Sequence, residues 1–487
     1  MKFSALLIIA LLLGMVTRGY QLRERFMYGH DNDLASWIVK DIVVDRHPRL
    51  IGQLTSSPGI FIGPLFYYIL IPFYLAAGMD PVGSLGFSLI VGLAAITSIY
   101  WVFNRLYSRP AGSLASLIYA VSFSISSGER EVVPTTPVFL WSVWFFYALN
   151  RLFSGHKSSL LILAVLFSLV WHLHLALVLL IPLVFVAVWL NRSLYRPRDF
   201  LVPLAVFISL SVPLLIFELR HNFQQTTALL TSLASIGTKS GSLWQKISHV
   251  ILYASRNSTG LFVPFRPPIL PVYIIPALCL LVMVFLSLKK TLPRYTLLLY
   301  ALWIILFLLF FAAHPINLSE YYLNGLNILW LAAAVLFLTY IYRRPAGRIL
   351  VTAALAGFVA YHLGLFLTSP INRSGYLERT AVVNAISADA RAHDYPCVSV
   401  SYMTNPGYEL GYRYLFWRAR LHVNQPKSQS PVYTVVFPHT RADRLDWTFG
   451  ALGLILPDYA KYSPDSIRQS CSGANANLTD PMFGFTK

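Results

Sequence analysis

Long apolar stretches separated by short cationic loops dominate the pattern along the chain. A cation-flanked apolar segment, Phe3 to Val16, comes first. Stretches close to the ~20 residues that cross a bilayer as a helix follow at 82–103, 112–127, 137–150, 159–190, 200–217, 270–288, 295–312, 321–342 and 349–367. The stretch 159–190 is too long for one crossing, and Trp171-His172-Leu173-His174 interrupts it, so it reads as two helices joined by a turn. The first segment resembles a signal peptide, but no A-x-A-like cleavage site follows it, so it reads as an uncleaved first span. The pattern therefore predicts eleven spans.

Positive charge sets the expected orientation. Alternate loops hold Arg105 and Arg109; Arg151 and Lys157; Arg192, Arg196 and Arg198; Lys289, Lys290 and Arg294; and Arg343, Arg344 and Arg348. Together they carry thirteen basic residues and one acid, Asp199. That face is expected to be cytoplasmic, with the N-terminus on the same side. The opposite loops and the tail beyond Thr368 are then extracytoplasmic, and the tail has an ordinary soluble balance of twelve basic and nine acidic residues. This is the topology of a multi-pass plasma-membrane protein.

One segment resists this count. Residues 59–79 are apolar enough to span, which would make 18–58 cytoplasmic. That loop is balanced, with six basic and five acidic residues, and Pro58, Gly59, Gly63, Pro64 and Pro72 interrupt the stretch after it. The segment is expected to be a juxtamembrane or re-entrant helix packed on protein.

Composition changes the picture in three ways. Of 487 residues, 56% are hydrophobic and 12% charged, about half the ~25% charged share of soluble domains. A soluble enzyme, a disordered chain and a disulfide scaffold are excluded. The net charge of +18 reports orientation in a bilayer rather than a nucleic-acid partner, and three cysteines exclude a cysteine-based metal cluster. The expected fold class is an all-α polytopic membrane protein with a small C-terminal extracytoplasmic α/β domain. Its parts are a membrane domain at 1–369, with outer loops at 18–81 and 218–269, and a soluble domain at 370–487. In the latter, 376–392 reads as a helix, and Cys397–Met403, Val432–Phe437 and Ala451–Leu456 alternate like strands. Cys397 and Cys471 could pair outside the cell or stay as two thiols.

The spans hold almost no ionisable groups, which counts against an ion-coupled transporter and sends any chemistry to the outer face. There, Tyr28-Gly29-His30-Asp31-Asn32-Asp33 places two carboxylates after a glycine and ahead of an amphipathic stretch. Asp31 suits a helix N-cap and equally an exposed general base. Local spacing does not separate the two.

This loop, followed by Gly63-Pro64-Leu65-Phe66-Tyr67-Tyr68, resembles the GT-C superfamily of membrane glycosyltransferases. It is most similar to the protein-mannosyltransferase-like branch, family 39, which includes the lipid A aminoarabinose transferases. Trp171-His172-Leu173-His174-Leu175-Ala176, Phe217-Glu218-Leu219-Arg220-His221-Asn222-Phe223 and Ser319-Glu320-Tyr321-Tyr322-Leu323 resemble later outer motifs of that branch. The likeness covers about residues 1–345. There are departures: Asn32 stands where the family often has Glu, no charge precedes the Pro-Leu segment, and the second acid corresponds loosely to Glu129 or Glu131.

The resemblance implies transfer of a hexosyl or pentosyl group from a polyprenyl-phosphate sugar to a glycan, lipid or protein acceptor at the outer face. A carboxylate would act as base, and cations would receive the departing phosphate. Asp31 is the expected base and Asp33 its partner. Glu218, Arg220, His221, His172, His174, Arg130, Glu131, Tyr67, Tyr68, Glu320 and Tyr321 are expected around donor and substrate. Plainer roles stand beside these: lipid-headgroup attraction for the basic loop, packing for the histidines, an ion pair for Arg130, a helix cap for Glu320. No metal site is assigned, and a divalent cation is left open as a cofactor. The competing functions are a lipid-linked glycan flippase or transporter and a non-catalytic scaffold that binds cell-wall polymer.

Overall fold

The architecture is seen in a computed structural model that describes residues 3–234, 242–264, 272–314, 318–424 and 428–473, with Asn475 and Asn477. The chain is a bundle of apolar helices capped at one end by short helices and a small sheet.

Among the described residues, four helices are long and apolar enough to cross a membrane: Pro81–Leu106, Tyr295–Ala313, Tyr321–Tyr342 and Pro345–Thr368. Six apolar helices are shorter, and the pair Pro197–Leu210 and Val212–Arg220 is bent by 62°. The sequence stretches are thus more divided than expected. The breaks fall at serines, a proline and a histidine. Ser122 separates Arg109–Val121 from Phe123–Gly128, and Ser211 with Pro213 sits at the 62° bend. At His174 the long stretch divides into Ser159–Leu173 and a 3-10 turn that leads into Ile181–Leu190. The helix Leu65–Ala76, inside the ambiguous segment, has 12 residues. At 1.5 Å per residue it runs about 18 Å, well short of a ~30 Å hydrocarbon layer.

One buried apolar cluster fills the bundle, with Phe103, Phe145, Phe146, Trp303 and Leu331 among its members. A second cluster is shared. It joins Trp37, Ile38, Tyr67, Leu70 and Tyr74 of the outer helices to Val383, Ile386, Tyr414, Tyr433 and Leu454 of the C-terminal segment. The C-terminal layer therefore has a core in common with the helix that carries the Asp31 motif.

That layer contains the helix Tyr376–Ala392 and a five-stranded mixed sheet. The strands are β1 (Val398–Met403), β2 (Val423–Asn424), β3 (Val432–Val436), β4 (Trp447–Phe449) and β5 (Leu452–Ile455). Their order is β2-β1-β3-β5-β4. The first three pair in parallel, and β5 pairs antiparallel with β3 and β4. Cys397 and Cys471 form a disulfide across 5.5 Å between Cα atoms, and Cys279 is a buried free thiol.

Candidate functional site

The site begins at the helix His30–Val43. Asp31 is not its cap. Gly29 is the N-cap, and the Gly29 N–H donates to Asn32 Oδ1 at 3.1 Å, so Asn32 takes the capping role. Both acids lie in the first turn, where the helix dipole favours negative charge. They face different surroundings.

Asp31 faces a cavity of about 430 Å³. Its Oδ1 accepts a hydrogen bond from Gln53 Nε2 at 3.1 Å. Gln53 is fixed in turn by Tyr67, whose hydroxyl donates to Gln53 Oε1 (3.0 Å) and accepts from the Gln53 N–H (3.1 Å). Residues 52–62 make this possible by folding back on themselves: Gly52 N–H donates to Ile62 O, and Ile62 N–H to Gln53 O. A Cβ on Gly52 would come within 2.0 Å of the Tyr67 ring, so only glycine lets that ring slide underneath.

Glu131 reaches the same cavity from the loop after Phe123–Gly128. Asn32 binds that loop directly, donating from Nδ2 to Val132 O at 2.9 Å. Asn32 thus ties the loop that bears Glu131 to the helix that bears Asp31. Burial, followed by the charge of Asp31, raises the Glu131 carboxyl above its ordinary range.

The outer turn at 171–174 docks on the Pro-Leu segment. Gly63 N–H donates to Trp171 O (2.7 Å), and Leu65 N–H donates to His172 Nδ1 (3.3 Å). A Cβ on Gly63 would meet His172 at 2.1 Å. His174 closes the cavity wall edge-on to Tyr322, whose hydroxyl donates to Ser56 Oγ at 2.9 Å. Tyr321 stacks on Tyr322 and lines the cavity as well.

Two further cavities adjoin this one. A space of about 380 Å³ shares Glu131, Val133, Thr135 and Tyr321 with it and adds Arg256, from the helix Leu243–Phe262, with Asn257 and Asn324. A space of about 800 Å³ shares Ser56, Ser57, Ser232 and His314 and adds His221. Among the described residues that line the three, Arg256 is the one Arg or Lys.

The expected site residues therefore divide. Asp31, Glu131, His174 and Tyr321 meet in one cavity, and His221 lines its neighbour. Tyr67, Tyr68 and His172 stand behind it as supports, with the Tyr68 hydroxyl bound to the backbone of Arg49. Asp33 is elsewhere. It is buried, and its Oδ1 accepts from the Tyr28 hydroxyl (2.8 Å) and the Tyr414 N–H (3.1 Å), which attaches the helix to the C-terminal layer. Its expected partnership with Asp31 is not formed, because positions two apart on a helix point in different directions.

Arg130 is likewise turned away, donating to Thr17 O and Tyr20 O. Its expected ion pair belongs instead to Arg18, which holds Glu129 at 2.6 Å while the Tyr119 hydroxyl holds the other carboxylate oxygen. Glu218 accepts from Thr226 N–H, and the exposed Arg220 lines none of the three cavities. Glu320 opens a short helix, and its side chain lies outside the described residues. Lys239 and Arg266 of the basic loop also lie outside them. No group of three or more His, Cys, Asp or Glu residues that could hold a metal ion exists among the described residues. The two carboxylates Asp31 and Glu131 do not make such a group by themselves.

Sequence reasoning overlooked Gln53 and His314, and it took Asn32 only as a departure from the motif. An amide or an imidazole gives no signal until the fold shows what it faces. Arg256 was one of several cations in the large outer loop, and only the fold singles it out.

No protein-family model matches the sequence, and no curated protein matches it. Solved structures do. ArnT from Cupriavidus metallidurans bound to undecaprenyl phosphate superposes with a TM-score of 0.58 at 12% identity, over 95% of this chain and 99% of that one. Its apo state gives 0.59 at 12% identity, over 95% and 98%. The oligosaccharyltransferase of Archaeoglobus fulgidus, crystallised with zinc and sulfate, aligns more loosely, with a TM-score of 0.49 at 12% identity over 89% and 68%. The chain thus has the fold of ArnT along nearly its whole length.

Proposed function

We propose that the protein is a membrane glycosyltransferase that moves a sugar from a polyprenyl-phosphate donor to an acceptor at the extracytoplasmic face. The observation that carries this is the convergence of Asp31 and Glu131, from two separate outer segments, on a cavity continuous with Arg256. The ArnT structure of the same fold holds undecaprenyl phosphate, which supports the donor class.

In the proposed reaction the acceptor hydroxyl attacks the anomeric carbon and gives its proton to Asp31. The bond from that carbon to the phosphate oxygen breaks, and the electron pair leaves with the polyprenyl phosphate. Arg256 offsets the charge that develops there through charge-assisted hydrogen bonds. Glu131 lines the same cavity and is placed to accept a hydrogen bond from a sugar hydroxyl. The loop charges favour a cytoplasmic N-terminus, and the disulfide supports an oxidising compartment for the C-terminal layer.

The test is transfer by the purified full chain in nanodiscs, with a panel of polyprenyl-phosphate sugars. Asp31→Asn should lower kcat by about 10²–10⁴-fold, the usual contribution of a general base, and Arg256→Gln should slow donor cleavage. Full transfer by Asp31→Asn would overturn the assignment.

A further inference from the structure

The three adjoining cavities differ in chemistry, and the difference bears on the acceptor. This inference rests on the transferase reading above. The first cavity holds Arg256. The middle one holds Asp31. The third lies on the other side of the middle one, joined to it through Ser56, Ser57, Ser232 and His314. In such a displacement the acceptor hydroxyl lies within reach of Asp31, on the side of the anomeric carbon away from the departing phosphate. With the donor phosphate at Arg256, the third cavity offers that approach.

The described lining of that third cavity is neutral and rich in hydroxyl and amide groups, including Ser57, Asn222, Gln224, Thr227 and Thr231, with no Lys, Arg, Asp or Glu. Its two histidines each bind a backbone carbonyl: His314 Nε2 lies 3.0 Å from Ser232 O, and His221 Nδ1 lies 2.8 Å from Phe217 O. Where the middle and third cavities join, Phe310 stacks on His314 with centroids 5.0 Å apart, and the stacked Tyr321–Tyr322 pair lines the middle cavity. Hydroxyls and amides both donate and accept, as sugar hydroxyls do, and aromatic faces suit the apolar faces of sugar rings. A phosphate monoester is held best by cationic donors, and the described lining supplies none. The volume of about 800 Å³ falls in the roughly 300–1,000 Å³ range of small-molecule sites.

We infer that the third cavity is the acceptor site and that the acceptor is a neutral, unphosphorylated saccharide. Its binding does not require the donor, so it can be measured alone. The full chain in nanodiscs is titrated with neutral manno-, gluco-, galacto- and arabino-oligosaccharides and with the phosphomonoesters of the same sugars, using saturation-transfer NMR. At least one neutral oligosaccharide should bind, and its phosphorylated form should bind more weakly. Thr227→Arg and Thr231→Arg, on an exposed helix face, should each weaken neutral binding by about tenfold and strengthen binding of the phosphomonoester. The inference is overturned if no neutral sugar binds, if a phosphomonoester binds the unaltered protein more tightly, or if both Arg variants bind neutral sugars unchanged. Failure here leaves the transferase reading intact. Unimpaired transfer by Asp31→Asn would remove that reading and leave the binding result standing.

Discussion

Replacing each acid of the Asp31-Asn32-Asp33 motif by its amide should separate two roles that lie two residues apart. Asp33 is buried, with both its hydrogen bonds made by Oδ1. Burial lifts its carboxyl from 3.8 to about 6, although the bonds from Tyr28 and Tyr414 pull the other way. A group raised in the folded state stabilises below its unfolded value and loses that contribution as pH climbs through its folded value. The displacement from 3.8 to about 6 corresponds to about 3 kcal/mol, lost between about pH 4 and 6. The Asp33→Asn side chain would retain a carbonyl oxygen for Tyr28 and Tyr414 and would have no charge to bury. This variant should therefore match the parent protein near pH 4 and surpass it by up to about 3 kcal/mol above about pH 6. Asp33→Ala should be destabilised, because it orphans a buried hydroxyl and a buried N–H at about 1–3 kcal/mol each. Thermal unfolding of the detergent-solubilised protein from about pH 4 to 7 measures both. Transfer measured alongside should survive Asp33→Asn and fail in Asp31→Asn. An Asp33→Asn protein that is less stable than the parent at neutral pH, or that loses transfer as severely as Asp31→Asn, would refute the division of labour.

Two other outcomes follow from buried contacts. Glu129→Ala strands the buried Arg18 guanidinium and should cost about 3–5 kcal/mol, most of it recovered when Arg18→Met is added; equal melting of the single variant and the parent would show that the pair contributes nothing. Cys397→Ser opens a crosslink spanning 74 residues and should lower the stability of the C-terminal layer by about 2–4 kcal/mol, read as faster proteolysis within 376–470, whereas unchanged cleavage would count against this.

How much of this was legible in the sequence depended on the range of the interaction involved. Apolar length located the helices, and charge gave an expected orientation, because both are sums over many residues. Alternation found β1, β3 and β5 but missed β2 and β4, which have two and three residues and too few positions to alternate. The interruption at Trp171–His174 was readable, since two histidines inside so apolar a run mark a place where the chain turns. The roles of Asp31 and Asp33 were not separable. Their difference arises from Gln53 on one side and Tyr414, 381 residues away, on the other. Asn32 looked like a defect of the motif, and its amide is what a backbone carbonyl on the neighbouring loop requires. The cations were misjudged for a similar reason: Arg220 sits beside recognisable motif residues, yet among the described residues it is Arg256, farther along the same loop, that lines the cavity adjoining Asp31's.

The amide of Gln53 has a consequence for the traffic of protons. Tyr67 points its O–H at the Gln53 carbonyl, so the NH₂ end must face Asp31. An amide nitrogen has no lone pair to offer. A proton taken up by Asp31 therefore cannot pass through Gln53 to Tyr67 and leaves by way of the cavity that Asp31 shares with Glu131. On its Gln53 side the proposed base is a dead-end siding rather than a through line, and it is cleared for the next turnover through the cavity, when the product withdraws and water enters.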